Sequence, residues 1–259
     1  MLLFVILLFV IFFTLYYKYG SKEGFTQTIP PNLFQTWNTK DLPPKMKACV
    51  YRLRKQNPEM NYRLFDDEDC IQFLKDYFGQ EVLYAFHRMK PGAYKADLWR
   101  YCILYVHGGM YLDIKFECCE GFKCIELMDK EHYVMDRQKD PVTKQAYAEK
   151  GKILVYNGCM VSHAKNPVLL KCIQKIIKNV EDEQYGFNPL YPTGPGLLGQ
   201  VLGKNKHIDL SFSDDQQYIL YKKRRILKKY KEYRTEQSQT RQGNHYDELW
   251  KDGDIYHQP

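Results

Sequence analysis

The stretch AYKADLWRYCILYVHGGMYLDIK, Ala93 to Lys115, limits the fold more than any other part of this chain. Apolar residues recur at every third or fourth position from Ala93 to Val106, which predicts a helix. Gly108 and Gly109 stop it, because glycine accepts the left-handed backbone that ends many helices. MYLDI then reads as a strand. A helix feeding a strand through two glycines is part of an alternating strand–helix pattern, and that pattern builds a sheet covered by helices. Ligands in such sheets sit at the carboxyl ends of strands, which is where Asp113 falls.

The flanking sequence repeats the pattern. LFQTW (Leu33–Trp37) and YRLFDD (Tyr62–Asp67) read as strands, with a helix from Pro43 between them. EDCIQFLKDYF and Gln80–Met89 read as helices. HYVMD (His132–Asp136) and ILVYNGCMVSH (Ile153–His163) read as later strands. NPVLLKCIQKIIKNVEDE is an amphipathic helix, and YPTGPGLLGQVL is a glycine-rich loop entering another. The expectation is an α/β fold with a mostly parallel central sheet, in one domain over residues 29–259.

The first 17 residues carry no charged side chain. As a helix they reach roughly 25 Å, against a hydrocarbon core of about 30 Å, which is inside the spanning range. No basic stretch precedes them and no small-residue cleavage site follows, so residues 1–19 read as a retained single-pass membrane anchor rather than a cleaved signal. Residues 20–28 read as a linker. Lys18 and Lys22 follow the apolar run and bias the domain towards the cytoplasm; a Golgi-type lumenal placement stays open.

The formal net charge is +7, and Tyr221–Arg234 alone holds eight Lys/Arg against one Glu. The remainder is near neutral, so no nucleic-acid partner is expected from charge. That basic run reads as a solvated hairpin edge or helix face, as a membrane-facing patch, or as a holder of an acidic acceptor or of nucleic acid, although no recognised nucleic-acid motif accompanies it. Eight cysteines fit no zinc spacing, and buried free thiols are one reading of them, disulfides another.

The chemistry-bearing residues gather in the same stretch. Asp97 and Arg100, three apart on a helix, share a face. Asp113 and Lys115, two apart on a strand, point the same way. A site for a hard divalent cation wants a second oxygen ligand at position 115 and finds an ammonium.

RMKPGAYKADLWRYCILYVHGGMYLDIK resembles the sugar-nucleotide region of glycosyltransferase family 32, whose pattern is A-x-D-x-x-R-Y-x-x-L followed by G-G-x-Y-x-D-x-D. Further matches run in the family's order: IPPNLFQTW, NPEMNYRLFDD, VYNGCMVSHAKNP, TGP at Thr193, and a late His and Trp. The resemblance implies a GT-A fold, a nucleotide-sugar donor, a glycan or glycolipid acceptor at a membrane, and transfer with retention at the anomeric carbon. By position it implies that Trp37 lies by the nucleobase and that Asp97 and Arg100 hold the donor sugar. Asp113 touches the ribose, the sugar or the metal shell, and Asn157, Thr193 and Gly194 line the donor pocket. Trp250 closes the site. Mn²⁺ or Mg²⁺ is implied through Asp113 and His245. Lys115 replaces the second aspartate of D-x-D, and three readings follow. The lysine neutralises the diphosphate itself; or metal still binds, with Lys115 turned aside to an acid such as Glu117; or the protein is a catalytically inactive sugar-nucleotide-binding relative. A membrane-attached scaffold using the basic run is a further alternative.

Overall fold

The computed structural model describes residues 29–139, 145–240 and 245–258. The expected anchor and linker lie outside the described residues. Among the described residues no helix is long and apolar enough to cross a membrane.

Strand β1 (Asn32–Thr36) leads into helix α1 (Pro44–Gln56), which starts at a proline, and returns as β2 (Asn61–Phe65), parallel to β1. Asp66 caps helix α2 (Asp67–Tyr77) in a reciprocal capping box with Asp69. Helices α3 (Gln80–Arg88) and α4 (Gly92–His107) follow, and α4 enters β3 (Gly109–Leu112), also parallel to β1. The two glycines between them are structurally required. Gly108 and Gly109 have φ of +61° and +115°, and a Cβ on Gly109 would lie 2.6 Å from the Asn32 carbonyl oxygen.

Strands β4 (Phe116–Cys118), β5 (His132–Met135), β6 (Val155–Ser162), β7 (Ile208–Phe212), β8 (Tyr218–Tyr221) and β9 (Arg224–Lys229) complete one sheet in the order β2-β1-β3-β6-β5-β7-β8-β9-β4. Helices α5 (Pro167–Glu181), α6 (Pro195–Leu202), α7 (Tyr233–Thr240) and α8 (Tyr246–Lys251) pack around it.

The sheet is mixed, not mostly parallel as expected. Three strand pairs are parallel and five antiparallel. Parallel pairing needs a long crossover, usually a helix. The chain has such crossovers around β1, β2 and β3, whereas β8 and β9 are joined by a tight turn at Lys222 and Lys223, both with positive φ. The basic run is therefore a hairpin arm that continues into α7.

The sheet is also curled. Only Asp113, Ile114 and Lys115 separate β3 from β4, and three residues span about 10 Å at most. Five strands nevertheless stand between β3 and β4 in the sheet order, so the far edge must bend back to meet β3. The backbone closes the gap: the Tyr230 N–H donates to the Lys115 carbonyl and the Asp113 N–H to the Gly158 carbonyl.

Alternation along the strands sorts the core into two faces. Tyr111, Tyr133 and Met160 join Leu98, Trp99, Ile103, Ile173 and Leu197 under the helices. Met110, Leu112, Val134, Cys159 and Val161 join Phe116, Phe122 and Leu227 inside the curl. A smaller cluster of Met46, Cys49, Ile114 and Tyr230 holds α1 against the bend. All eight cysteines are free thiols, seven of them buried.

Candidate active site

The tripeptide Asp113-Ile114-Lys115 sits where the curled sheet almost closes. The expected strand Met110–Ile114 ends at Leu112, and the Phe116 N–H donates to the Asp113 carbonyl at 3.1 Å. Asp113 and Lys115 thus meet across a turn rather than by strand alternation. Lys115 Nζ lies 2.8 Å from Asp113 Oδ2. It does not reach Glu117, whose carboxylate is held by Arg52 and Lys228.

Asp113 is reached from both faces of the sheet. From the helical face, Arg100 Nη1 lies 3.5 Å from Oδ1 and the Tyr111 hydroxyl donates to the same oxygen at 3.1 Å. From inside the curl, the Tyr156 hydroxyl donates to Oδ2 at 2.5 Å, beside Lys115. Burial raises the Asp113 carboxyl, but the opposing charges of Lys115 and Arg100 outweigh it and hold the group well below the usual carboxylate range. Gly158 makes room for this arrangement. A Cβ there would stand 2.2 Å from the Tyr156 hydroxyl and 2.3 Å from Asp113 Oδ2.

Asp97 and Arg100 lie on the buried side of α4, 8% and 6% exposed. Buried charges need partners, and both have them. Arg100 Nη2 lies 3.4 Å from Asp97 Oδ1, so the guanidinium forks between Asp97 and Asp113 and lies over the Tyr111 ring at 4.4 Å. Asn157 donates to Asp97 Oδ1 at 2.9 Å, and Thr193 Oγ1 to Oδ2 at 2.7 Å. Gly194, at the entrance to α6, packs beside the same carboxylate, with room for a Cβ only 3.2 Å from Oδ2. Burial pushes the Asp97 carboxyl up, against Arg100 and the two donors.

The structure therefore brings together Asp97, Arg100, Asp113, Lys115, Asn157, Thr193 and Gly194. Trp37 stands on the rim, packed with Ile114, Tyr230 and Tyr233, and its indole N–H is buried without a hydrogen-bond partner. Trp250 is more peripheral: its indole donates to the Tyr185 carbonyl and the ring packs on the helical core. Tyr246 of the same helix has its hydroxyl pKa pushed up to about 12 by burial and by the charge of Asp97.

His245 caps α8. Its Nδ1 accepts from the Asp247 N–H at 3.3 Å, and its ring stacks on Tyr246 at 4.2 Å. Among the described residues no group of three or more His, Cys, Asp or Glu side chains is placed to hold a metal ion. Asp113 has both oxygens taken by internal donors, with a lysine ammonium where a cation would sit. These residues do not fit a divalent metal held through Asp113 and His245.

Three further side chains face the centre. Lys229, at the end of β9, has its pKa lowered to about 8 by burial first and then by the charges of Lys115 and Arg234, against Asp113 and Asp136. Asp136, just past β5, is pushed up by burial and opposed by Lys115, Arg137 and Lys229. Tyr233 places its ring 5.5 Å from Lys115 Nζ. The sequence signals for them are weak: Asp136 is a strand-end acid like Asp113, and Lys229 hides in a basic run. A surface pocket of about 380 Å³, lined by Glu149, Lys175, Asn179, Phe187 and Tyr191 among others, shares no residue with this centre.

The chain is similar to known proteins over part of its length. Residues 43–135 match the family described as the glycosyltransferase sugar-binding region containing DXD motif. The chain is 29% identical over 181 residues to mannosyl phosphorylinositol ceramide synthase SUR1 of Saccharomyces cerevisiae, covering 68% of this chain and 42% of that protein. It is 27% identical over 213 residues to inositol phosphoceramide mannosyltransferase 2 of Schizosaccharomyces pombe, covering 74% and 56%. The chain thus spans about half the length of these curated relatives. Among solved structures, the PaToxG glycosyltransferase superposes with a TM-score of 0.48 at 18% identity, covering 68% of this chain and 69% of that one. Asp97, Arg100 and Asp113 all fall inside the matched region, and these similarities agree with the resemblance of the motifs to glycosyltransferase family 32.

Proposed function

We propose that this chain is a membrane-associated, retaining hexosyltransferase of GT-A-like fold, which moves a sugar from a nucleotide-sugar donor to a glycan or glycolipid acceptor. One observation carries the reading: Asp113, at the carboxyl end of β3, is locked by Arg100, Lys115, Tyr111 and Tyr156, with Asp97 held one position deeper. Such a locked polar centre fixes the orientation of a hydroxyl-rich ligand without reorganising during reaction.

In the proposed reaction the bond between the anomeric carbon and the donor's phosphate oxygen breaks, and the nucleoside diphosphate leaves with the electron pair. The acceptor hydroxyl oxygen attacks from the same face, and its proton passes to the departing phosphate oxygen. Cationic side chains at the bend stabilise the charge on the leaving group. Asp113 orients the donor's ribose and sugar hydroxyls and holds Lys115. Arg100 is a positioning residue that fixes Asp97 against Asp113. Thr193, Gly194 and Asn157 shape the pocket wall, and Trp37 offers a ring to the base.

The relatives' names make nucleotide-linked mannose the first donor to try, with inositol phosphoceramide in detergent as acceptor. Formation of a mannosylated product whose anomeric configuration, read by NMR, equals that of the donor supports the reading. A product of inverted configuration removes retention. Donor binding without turnover, for every nucleotide sugar tried, favours the inactive relative.

A further inference from the structure

The bend between β3 and β4 carries more positive charge than its acids absorb. Lys115 Nζ is fixed by one carboxylate at 2.8 Å and by three aromatic rings, with centroids at 5.3 Å for Tyr156, 5.5 Å for Tyr233 and 5.6 Å for Phe116. A caged ammonium of this kind has little freedom to move aside for another cation. Lys229 stands next to it. It pairs in register with Phe116 across the β4–β9 ladder, and its ammonium lies 5.2 Å from the Phe212 ring. The charge of Lys115 opposes that of Lys229. Arg234 adds a third positive charge nearby, and Asp113, one of the two acids in reach, is already shared with Arg100.

The ammoniums of Lys115 and Lys229 together carry the same formal charge as one divalent ion. Lys115 stands where that ion would have to be, against Asp113 Oδ2. A D-x-D site supplies its metal with oxygen from both aspartates, whereas here position 115 supplies a donor of hydrogen bonds. Lys115 already has Asp113 as a counter-charge, and Lys229 gains one when a dianion arrives.

We propose that Lys115 and Lys229 together bind the diphosphate of the donor, replacing the divalent metal. The proposal rests on the nucleotide-sugar reading above and specifies how the leaving group is held. Lys115 is the fixed member, anchored on Asp113. Lys229 is the member that gains its counter-charge on binding, through charge-assisted hydrogen bonds to phosphate oxygens. Both stabilise the nucleoside diphosphate as it departs.

The test is calorimetric binding of GDP and of UDP to the full chain, in chelator and in Mn²⁺, for wild type, Lys115→Met, Lys229→Met and Lys115→Arg. Wild type is expected to bind one nucleotide equally well under both conditions, within about twofold. Each methionine variant loses at least about tenfold in affinity, the equivalent of one strong charge-assisted contact, while Lys115→Arg retains most of it. Binding that appears only with Mn²⁺, or methionine variants that bind like wild type, overturns the lysine pair and leaves the donor reading standing. No binding of either nucleotide under any condition overturns both. The circular dichroism of each variant separates loss of binding from loss of fold.

Discussion

Arg100 lies between two carboxylates, its Nη2 3.4 Å from Asp97 Oδ1 and its Nη1 3.5 Å from Asp113 Oδ1. One guanidinium thereby ties helix α4 to the end of strand β3. Removing a buried partner of this kind leaves uncompensated charge. Arg100→Ala is predicted to destabilise the fold by about 3 kcal/mol, a typical cost of breaking a buried ion pair. Arg100→Lys keeps one charge but not the fork, so it is predicted to restore part of the stability and little of the activity. Urea denaturation and donor turnover, measured side by side, check both.

Gly158 leaves the space that the Asp113 carboxylate and the Tyr156 hydroxyl occupy. The atoms a Cβ would strike are the ends of side chains, so they can shift while the strand stays. Gly158→Ala is therefore predicted to lower turnover by about a hundredfold, a typical effect of misplacing one catalytic group, with only a small change in melting temperature. Equal losses of activity and stability would mean that the glycine serves the strand alone.

Glu236 reaches from α7 to the start of α1. Its carboxylate accepts from the Lys45 and Met46 N–H groups, each at 2.8 Å, and from the Tyr230 hydroxyl at 3.1 Å. A carboxylate at a helix N-terminus satisfies orphan donors and matches the helix dipole. Glu236→Ala is predicted to cost about 1–2 kcal/mol. It also frees the helix that presents Tyr233 to Lys115, so nucleotide affinity should fall with stability. Thermal melts with and without GDP read both.

Lys229 sets a pH dependence. Burial and the charges of Lys115 and Arg234 lower it to about 8, while Asp113 and Asp136 pull the other way. Above that pH the amine is neutral and loses its attraction for phosphate, so nucleotide affinity should fall from about pH 8 upward. The sign for folding is opposite. Between about 8 and the ordinary 10.5 the unfolded chain binds more protons at this lysine than the folded one, so its contribution to stability rises with pH across that window. Lys229→Met should therefore stabilise the fold at neutral pH while weakening nucleotide binding. Isothermal titration between pH 6 and 9.5, paired with urea melts, reads both signs.

The strand–helix order of the first half was legible in the sequence because local signals set it: Pro43 and Pro44 open α1, Asp66 caps α2, and Gly108-Gly109 ends α4. Asp97, Arg100 and Asp113 were legible because they lie on a strong helix and on the strand it feeds. The mixed sheet was not, since strand direction depends on pairing partners far away in sequence, and β4 pairs with β9 over a hundred residues on. For the same reason Lys229 looked like surface charge. Only the curl of the sheet brings it to Lys115. Trp250 is different: its position in the motif series suggests the pocket, and its indole is held on the helical core by the Tyr185 carbonyl.

The most direct measurement is donor hydrolysis by the full chain across a panel of GDP- and UDP-sugars, comparing wild type with Asp113→Asn. The prediction is turnover of one donor class by wild type and its loss, by at least about a hundredfold, in the variant, since the neutral amide can no longer hold Lys115 and Arg100 in place. Wild-type turnover that survives unchanged in Asp113→Asn would contradict the assignment of the active site to this bend.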